Sequence, residues 1–184
     1  GRQNSIQSSG TTNISYTYDK IGNRLTMIYR TGTTSYTYDR QNRITSVTNP
    51  DLAEICYEYD DLNNIKWVQD PSNGSIDRTK YEYDVLNRLK KVTDPYNKTA
   101  TYEYDNGGRK TALIVSTGHS TEYTYTNTNA IESVTNKDKN GIIIGSYSYS
   151  YYKDGNMKTK IDSTGTTTYN YDPVGRLDTV TEPG

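Results

Sequence analysis

Short runs of alternating apolar and polar residues, broken by turn signals, recur along the chain with a period that can be counted. Tyr-x-Tyr pairs begin at Tyr16, Tyr36, Tyr57, Tyr81, Tyr102, Tyr123, Tyr149 and Tyr169, at intervals of 20, 21, 24, 21, 21, 26 and 20 residues. Residues two apart share one face of a strand, so each pair predicts a strand with an aromatic face. Directly after the second Tyr stands Asp19, Asp39, Asp60, Asp84, Asp105 or Asp172, and only Thr126 and Tyr152 depart from this. Three residues further on stands Gly22, Asn42, Asn63, Asn87, Gly108, Asn129, Gly155 or Gly175, so this position is Gly or Asn in all eight units. Gly and Asn accept positive φ most readily, and an Asp side chain at the start of a turn accepts from N–H groups two residues on. The pattern predicts a hairpin closed by a type I turn and a left-handed residue.

A second strand follows each turn. It carries two apolar residues three apart: Leu25/Ile28, Ile44/Val47, Ile65/Val68, Leu89/Val92, Ile131/Val134 and Leu177/Val180. The fifth unit keeps only Leu113, and the seventh has Met157 and Ile161. A spacing of three puts two side chains on opposite faces of a regular strand. Either a bulge intervenes or both faces are partly buried, and the spacing is compatible with both. Asn49-Pro50, Asp70-Pro71, Asp94-Pro95, Thr31-Gly32, Thr117-Gly118 and Thr164-Gly165 mark the return turns. The longest connections are expected at 69–79 and 136–146.

The expected architecture is all-β, an antiparallel meander of about sixteen short strands. Residues 1–11 read as a ragged polar segment and 12–184 as the repeat array. So many strands side by side would span roughly 77 Å at about 4.8 Å each, and open sheets rarely exceed about ten strands without curling. A curled sheet is expected, with each unit touching mainly its neighbours and with edge strands open to self-association.

Composition changes this picture in one respect. Ile, Leu and Val together number 29 of 184 residues, while Tyr alone numbers 20, and 16 of those lie in the pairs. Such a shortage of aliphatic residues would suggest disorder, but the net charge is −1 and the tyrosines are periodic. Tyr, with a large ring and a polar tip, is the expected core residue. Balanced charge, 21 basic against 22 acidic residues, gives no electrostatic footprint for nucleic acid. No membrane span is expected, since no run of apolar residues approaches the length of a membrane helix. The chain reads as an internal piece of a longer protein.

The unit Tyr-x-Tyr-Asp-x-x-Gly/Asn-Arg-Leu resembles the YD repeat of the RHS family, which includes bacterial polymorphic toxins, wall-associated proteins, insecticidal toxin complexes and teneurins. YNYDPVGRL at 169–177 and YEYDVLNRL at 81–89 carry the resemblance most clearly. It implies a stretch of a spiral β-sheet shell that encloses a toxic C-terminal polypeptide, or an adhesive ectodomain. It also implies a secreted or cell-surface parent. The implied partners are the rest of that chain and its cargo.

Candidate chemistry is sparse. Arg24, Arg43, Arg88, Arg109 and Arg176 follow the turns, while Asn64, Ala130 and Asn156 stand there in the other units. These arginines either bind anionic sugars or phosphates, or pair with the turn Asp and stack on Tyr rings. Asp and Arg are lost together in two units, as pairing predicts. A calcium array is disfavoured, because calcium needs six to eight converging oxygens and the turns supply one Asp each. His119 reads as a solvated turn residue and Cys56 as a small buried one. Trp67 reads as a local gap-filler or a sugar-stacking platform. No catalytic residue, cofactor or metal site is expected, so the chain reads as a non-enzymatic scaffold. A glycan-binding module using exposed tyrosines is the alternative.

Overall fold

The computed structural model describes residues 5–7, 13–70 and 78–184. Among them are seventeen strands and no helix. The ragged N-terminal segment and the 69–79 connection fall largely outside the described residues, although β1 (Ser5–Gln7) lies antiparallel to β2 (Asn13–Tyr18).

The chain divides into two units, 1–88 with 92–97, and 89–91 with 98–184. In the first, β2, β3 (Arg24–Tyr29), β4 (Gly32–Tyr38), β5 (Ile44–Thr48), β6 (Glu54–Tyr59), β7 (Ile65–Gln69) and β8 (Arg78–Tyr83) pair in sequence order, all antiparallel. β9 (Leu89–Thr93) falls at the division. In the second, β10 (Thr99–Tyr104), β11 (Lys110–Val115), β12 (Ser120–Tyr125), β13 (Ile131–Lys137), β14 (Ile143–Tyr151), β15 (Met157–Asp162), β16 (Gly165–Tyr171) and β17 (Leu177–Thr181) do the same.

A bulge explains the apolar pairs. Tyr38 faces Ile44 and Thr37 faces Ser46, which leaves Thr45 as an extra residue on the second strand. The same shift occurs beside Tyr18, Tyr59, Tyr104, Tyr125, Tyr151 and Tyr171. One extra residue turns a spacing of three into a shared face. Ile44 and Val47 therefore lie opposite Tyr38 and Tyr36, on the tyrosine face. The first unit is out of phase with the expected pair: Arg24 and Met27 lie opposite Tyr18 and Tyr16. Leu25 is the bulged residue, and Ile28 pairs with Ser15 on the other face.

That other face carries hydroxyl pairs across four of the hairpins. Thr17–Thr26, Thr37–Ser46, Thr124–Ser133 and Ser150–Thr159 lie at 2.7, 2.8, 2.8 and 2.6 Å. The sheet encloses little: Ala112 is the one buried apolar residue among the described residues. All sixteen paired tyrosines are half-buried.

The connection expected over 136–146 is mostly strand. β13 and β14 run on to Lys137 and back from Ile143, joined by a turn at Asp138 with Gly141 at φ 81°. This turn has the Asp-x-x-Gly chemistry of the eight others, with the Asp138 amide donating to the Ile142 carbonyl at 2.8 Å.

Candidate functional site

The densest chemistry lies at the eight Asp-type turns, four in each unit. The closing residues Gly22, Asn42, Asn63, Asn87, Gly108, Asn129, Gly155 and Gly175 all have positive φ, between 62° and 96°. In each turn the N–H of this residue donates to the carbonyl three places back, and the first turn residue's N–H donates to the carbonyl four places on, at 2.8–3.2 Å. Both bonds persist in the Thr126 and Tyr152 turns.

The Asp side chain fills the turn from inside. Asp39 Oδ1 accepts from the N–H groups of Gln41 and Arg43 at 2.8 and 3.0 Å, and Oδ2 accepts from Arg43 Nε at 2.7 Å. Asp84–Arg88, Asp105–Arg109 and Asp172–Arg176 repeat this, each with the Nε bond at 2.7 Å. Asp60 receives Asn64 Nδ2 at 3.0 Å instead, and Asp19 receives Asn23 Nδ2 at 2.9 Å. The Asp19–Arg24 pair is therefore corrected. Asn23 holds the position four after the Asp, and the Arg24 guanidinium lies over the Tyr36 ring at 4.4 Å. In the sixth turn Thr126 Oγ1 accepts from the N–H groups of Thr128 and Ala130 at 3.3 and 3.2 Å. In the seventh, Asp154 takes the Asn156 side chain at 3.0 Å.

The bonds in their own turns hold the carboxyls of Asp39, Asp60, Asp84, Asp105 and Asp172 below the usual carboxylate range. For Asp39 and Asp105 the largest cause is the backbone N–H of the residue four on, followed for Asp105 by the Arg109 side chain. For Asp84 and Asp60 it is the Arg88 or Asn64 side chain.

A second system ties the second to seventh hairpins each to the one before it. The hydroxyls of Tyr38, Tyr59, Tyr83, Tyr104, Tyr125 and Tyr151 donate to the carbonyls of Arg24, Ile44, Ile65, Leu89, Lys110 and Ile131 at 2.7–3.0 Å. The geometry follows from the register. Ladder pairing between β5 and β6 stops at Ser46↔Cys56, two residues short of Ile44, and the other hairpin-to-hairpin ladders with known register stop at the corresponding place. The hairpins part near the turns, and the phenol spans the gap to a carbonyl the ladder does not use. Burial raises the pKa of Tyr38, Tyr59, Tyr83 and Tyr151, with Arg24 and Arg43 opposing the shift at Tyr38 and Tyr59.

The residue four after the Asp also reaches forward. Asn23 Nδ2 donates to Asn42 Oδ1 at 3.1 Å, Arg43 Nη1 to Asn63 Oδ1 at 2.8 Å, and Arg109 Nη1 to Asn129 Oδ1 at 2.8 Å. Asn64 Nδ2 donates likewise to Asn87 Oδ1. Each Asn at these four closing positions thus accepts a bond from the preceding turn, which Gly cannot do.

The other candidates are placed as follows. Cys56 is half-buried, not buried, because it lies on the hydroxyl face between Ser46 and Gln69. His119 is an exposed turn residue with Thr117 Oγ1 at 3.1 Å from Nδ1. Trp67 donates Nε1–H to Glu58 at 2.5 Å and is covered by the Arg78 guanidinium at 4.0 Å.

Comparison with known proteins gives two findings. The RHS Repeat family model matches residues 83–121. Of solved structures, the Photorhabdus luminescens Tc holotoxin pore with a TccC3 mutation matches with a TM-score of 0.70 at 17% identity, over 94% of this chain and 12% of that one. A TcdB2–TccC3 crystal structure matches with a TM-score of 0.45 at 13% identity, over 98% of this chain and 14% of that one. The chain thus spans roughly an eighth of the length of the structures it matches. A search of curated proteins gave no match. Residues 83–121 thus match an RHS repeat, and the Tyr-x-Tyr unit they carry recurs eight times along the chain, from Tyr16 to Tyr169.

Proposed function

We propose that this array is a non-enzymatic scaffold segment of a large secreted or cell-surface RHS/YD-repeat protein, in which such repeats form a shell around a toxic C-terminal polypeptide. The carrying observation is the use of the periodic side chains. The turn Asp bonds within its own turn, while closing Asn, following Arg or Asn, and Tyr hydroxyl bond to a neighbouring turn or hairpin. The Tc holotoxin pore supplies the fold likeness. Limited proteolysis of the full-length parent tests the reading. The segment beyond the array should resist cleavage in the intact protein and become cleavable when Tyr38, Tyr59 and Tyr83 are all changed to Phe. Cleavage of that segment in the intact protein as fast as in isolation would sink the enclosure.

Glycan binding is the second reading, favoured by Tyr96, which is 79% exposed in a return turn. Binding on a glycan array that disappears with Tyr96→Ala would support it. Self-association is a further expectation, since all five residues of β17 are exposed. Light scattering that shows a strict monomer at high concentration would remove it.

A further inference from the structure

We infer that the groove between the sixth and seventh Asp-type turns seats an arginine side chain presented by another polypeptide. The fold itself shows what such a seat looks like. Arg43 places its guanidinium 4.5 Å from the Tyr59 ring centre, with Nη1 donating to the Asp60 carbonyl at 3.3 Å and to Asn63 Oδ1 at 2.8 Å. Arg109 does the same 4.9 Å from the Tyr125 ring centre, with Nη1 on the Thr126 carbonyl at 3.5 Å and Asn129 Oδ1 at 2.8 Å. A guanidinium is planar and carries a fork of donors, so it stacks on a ring while bonding at its edge.

In the sixth unit the residue at this place is Ala130, which ends at Cβ and has no donor to reach forward. The next unit keeps two of the three receiving parts, the Tyr151 ring and the Tyr152 carbonyl, while Gly155 stands where Asn63 and Asn129 supply an Oδ1. Its Tyr151 hydroxyl bond to the Ile131 carbonyl, at 2.8 Å, is exposed, whereas those of Tyr59 and Tyr125 are half-buried. Tyr152 leans toward the following unit, edge-on to Tyr171 at 6.1 Å. What lies between the turns is a groove of about 550 Å³, with Thr126, Glu132, Tyr149, Tyr151, Lys153 and Asp154 among its walls. The corresponding groove of the second unit, about 650 Å³, has Arg43 itself in its wall.

Charge fits the same occupant. Thr126 stands where Asp39 and Asp105 hold their own arginines, so a guanidinium arriving from outside needs other anions. Glu132 and Asp154 supply two, and a carboxylate oxygen already holding one bond can accept another. Lys153 opposes them and keeps the site weak. Selectivity for guanidinium over ammonium must come from stacking on Tyr151 and the forked donors, not from net charge.

The test is an NMR titration of the whole chain with the blocked tripeptide acetyl-Gly-Arg-Gly-amide and its Lys counterpart. The Arg peptide should give saturable shifts confined to the amides around Ala130 and Tyr151–Gly155, with a dissociation constant on the order of 1 mM. The Lys peptide should bind at least about fivefold more weakly. Ala130→Arg supplies the guanidinium from within and should abolish the shifts while leaving the Asp39 turn amides in place. Should that variant not fold, Glu132→Gln should weaken the Arg peptide by about threefold. Equal binding of the two peptides, no saturable shift up to about 20 mM, or binding untouched by both substitutions would overturn the inference.

Discussion

The second and sixth repeats share one backbone and most of their strand side chains, and differ in the turn side chains that surround it. In the second, Asp39 fills the turn, Arg43 closes it, and the guanidinium crosses to the third. In the sixth, a threonine hydroxyl fills the turn and Ala130 crosses to nothing. Yet Asn42 and Asn129 sit at φ 62° and 65°, and the two turn bonds keep their lengths within 0.1 Å. The backbone turn is thus independent of the cage built around it. The cage adds lateral ties, and the sixth repeat shows the sheet where the forward tie from the residue after the closing position is missing.

Acid should separate the two repeats most widely, because it acts on every caged carboxylate together. Asp39, Asp60, Asp84, Asp105 and Asp172 all have folded-state pKa values below the usual carboxylate range. A depressed pKa contributes stability that is fully present above the unfolded value, about 4, and is lost as pH falls through the folded one. Below about pH 4 the melting temperature should therefore drop. The amide resonances of Arg43, Arg88 and Arg109 should titrate there, while that of Ala130, bonded to a hydroxyl, should not. Movement of Ala130 in step with the others would mean the turns respond through the sheet and not through their own carboxylates. The tyrosines set the opposite limit. The raised pKa values of Tyr38, Tyr59, Tyr83 and Tyr151 contribute stability that is present below about pH 10 and lost as pH rises through the folded values.

A backbone substitution should abolish the difference between the repeats. Gly108→Val in a caged turn and Gly155→Val in the altered seventh turn both force a β-branched residue to φ 82° or 91°. Each should cost about 2–3 kcal/mol by denaturant unfolding. Equal costs follow if the backbone bonds hold the turn. A cost at Gly108 smaller by about 1 kcal/mol or more would show that the Asp105 cage absorbs the strain.

Removing a single phenolic hydroxyl probes the tie between hairpins. Tyr59→Phe leaves the Ile44 carbonyl without its half-buried donor and should cost about 1 kcal/mol. Tyr151→Phe should cost less, since water reaches the exposed Ile131 carbonyl and replaces the lost bond. Equal losses in thermal unfolding would mean that the groove beside Tyr151 is no wetter than the one beside Tyr59.

The period and the left-handed position were readable from sequence because they rest on what a residue type permits. Gly and Asn occur at all eight closing positions, and every one has positive φ. Which face the apolar residues take was not readable. A spacing of three is ambiguous until the bulge is seen, and Leu25/Ile28 imitates the spacing one place out of phase. The substitution of Asn for Arg was hidden by their different charge, although Asn23 and Asn64 offer the same N–H to the same carboxylate oxygen. The tyrosine tie left no trace in the pattern, because its acceptor is a backbone carbonyl that any residue provides. The difference between Asn and Gly at the closing position looked like free choice. It becomes legible only when the preceding turn is seen to donate to the Asn side chain.

The smallest expected effect concerns the ion pairs themselves. Asp84–Arg88 and Asp172–Arg176 have the same Nε–Oδ2 distance, 2.7 Å, but the Arg88 side chain is 26% exposed and that of Arg176 81%. An exposed pair gains little, because water screens the charges and the long side chain loses freedom in holding its pose. A double-mutant cycle with Ala at each position should give a measurable coupling for Asp84–Arg88 and one near experimental error for Asp172–Arg176. Added salt should shrink the second further and leave the first largely intact, since a shielded pair is screened less. Equal couplings would mean that the Arg–Asp contact is a local matter of the turn. Unequal ones would place its value in the shielding of the pair from water.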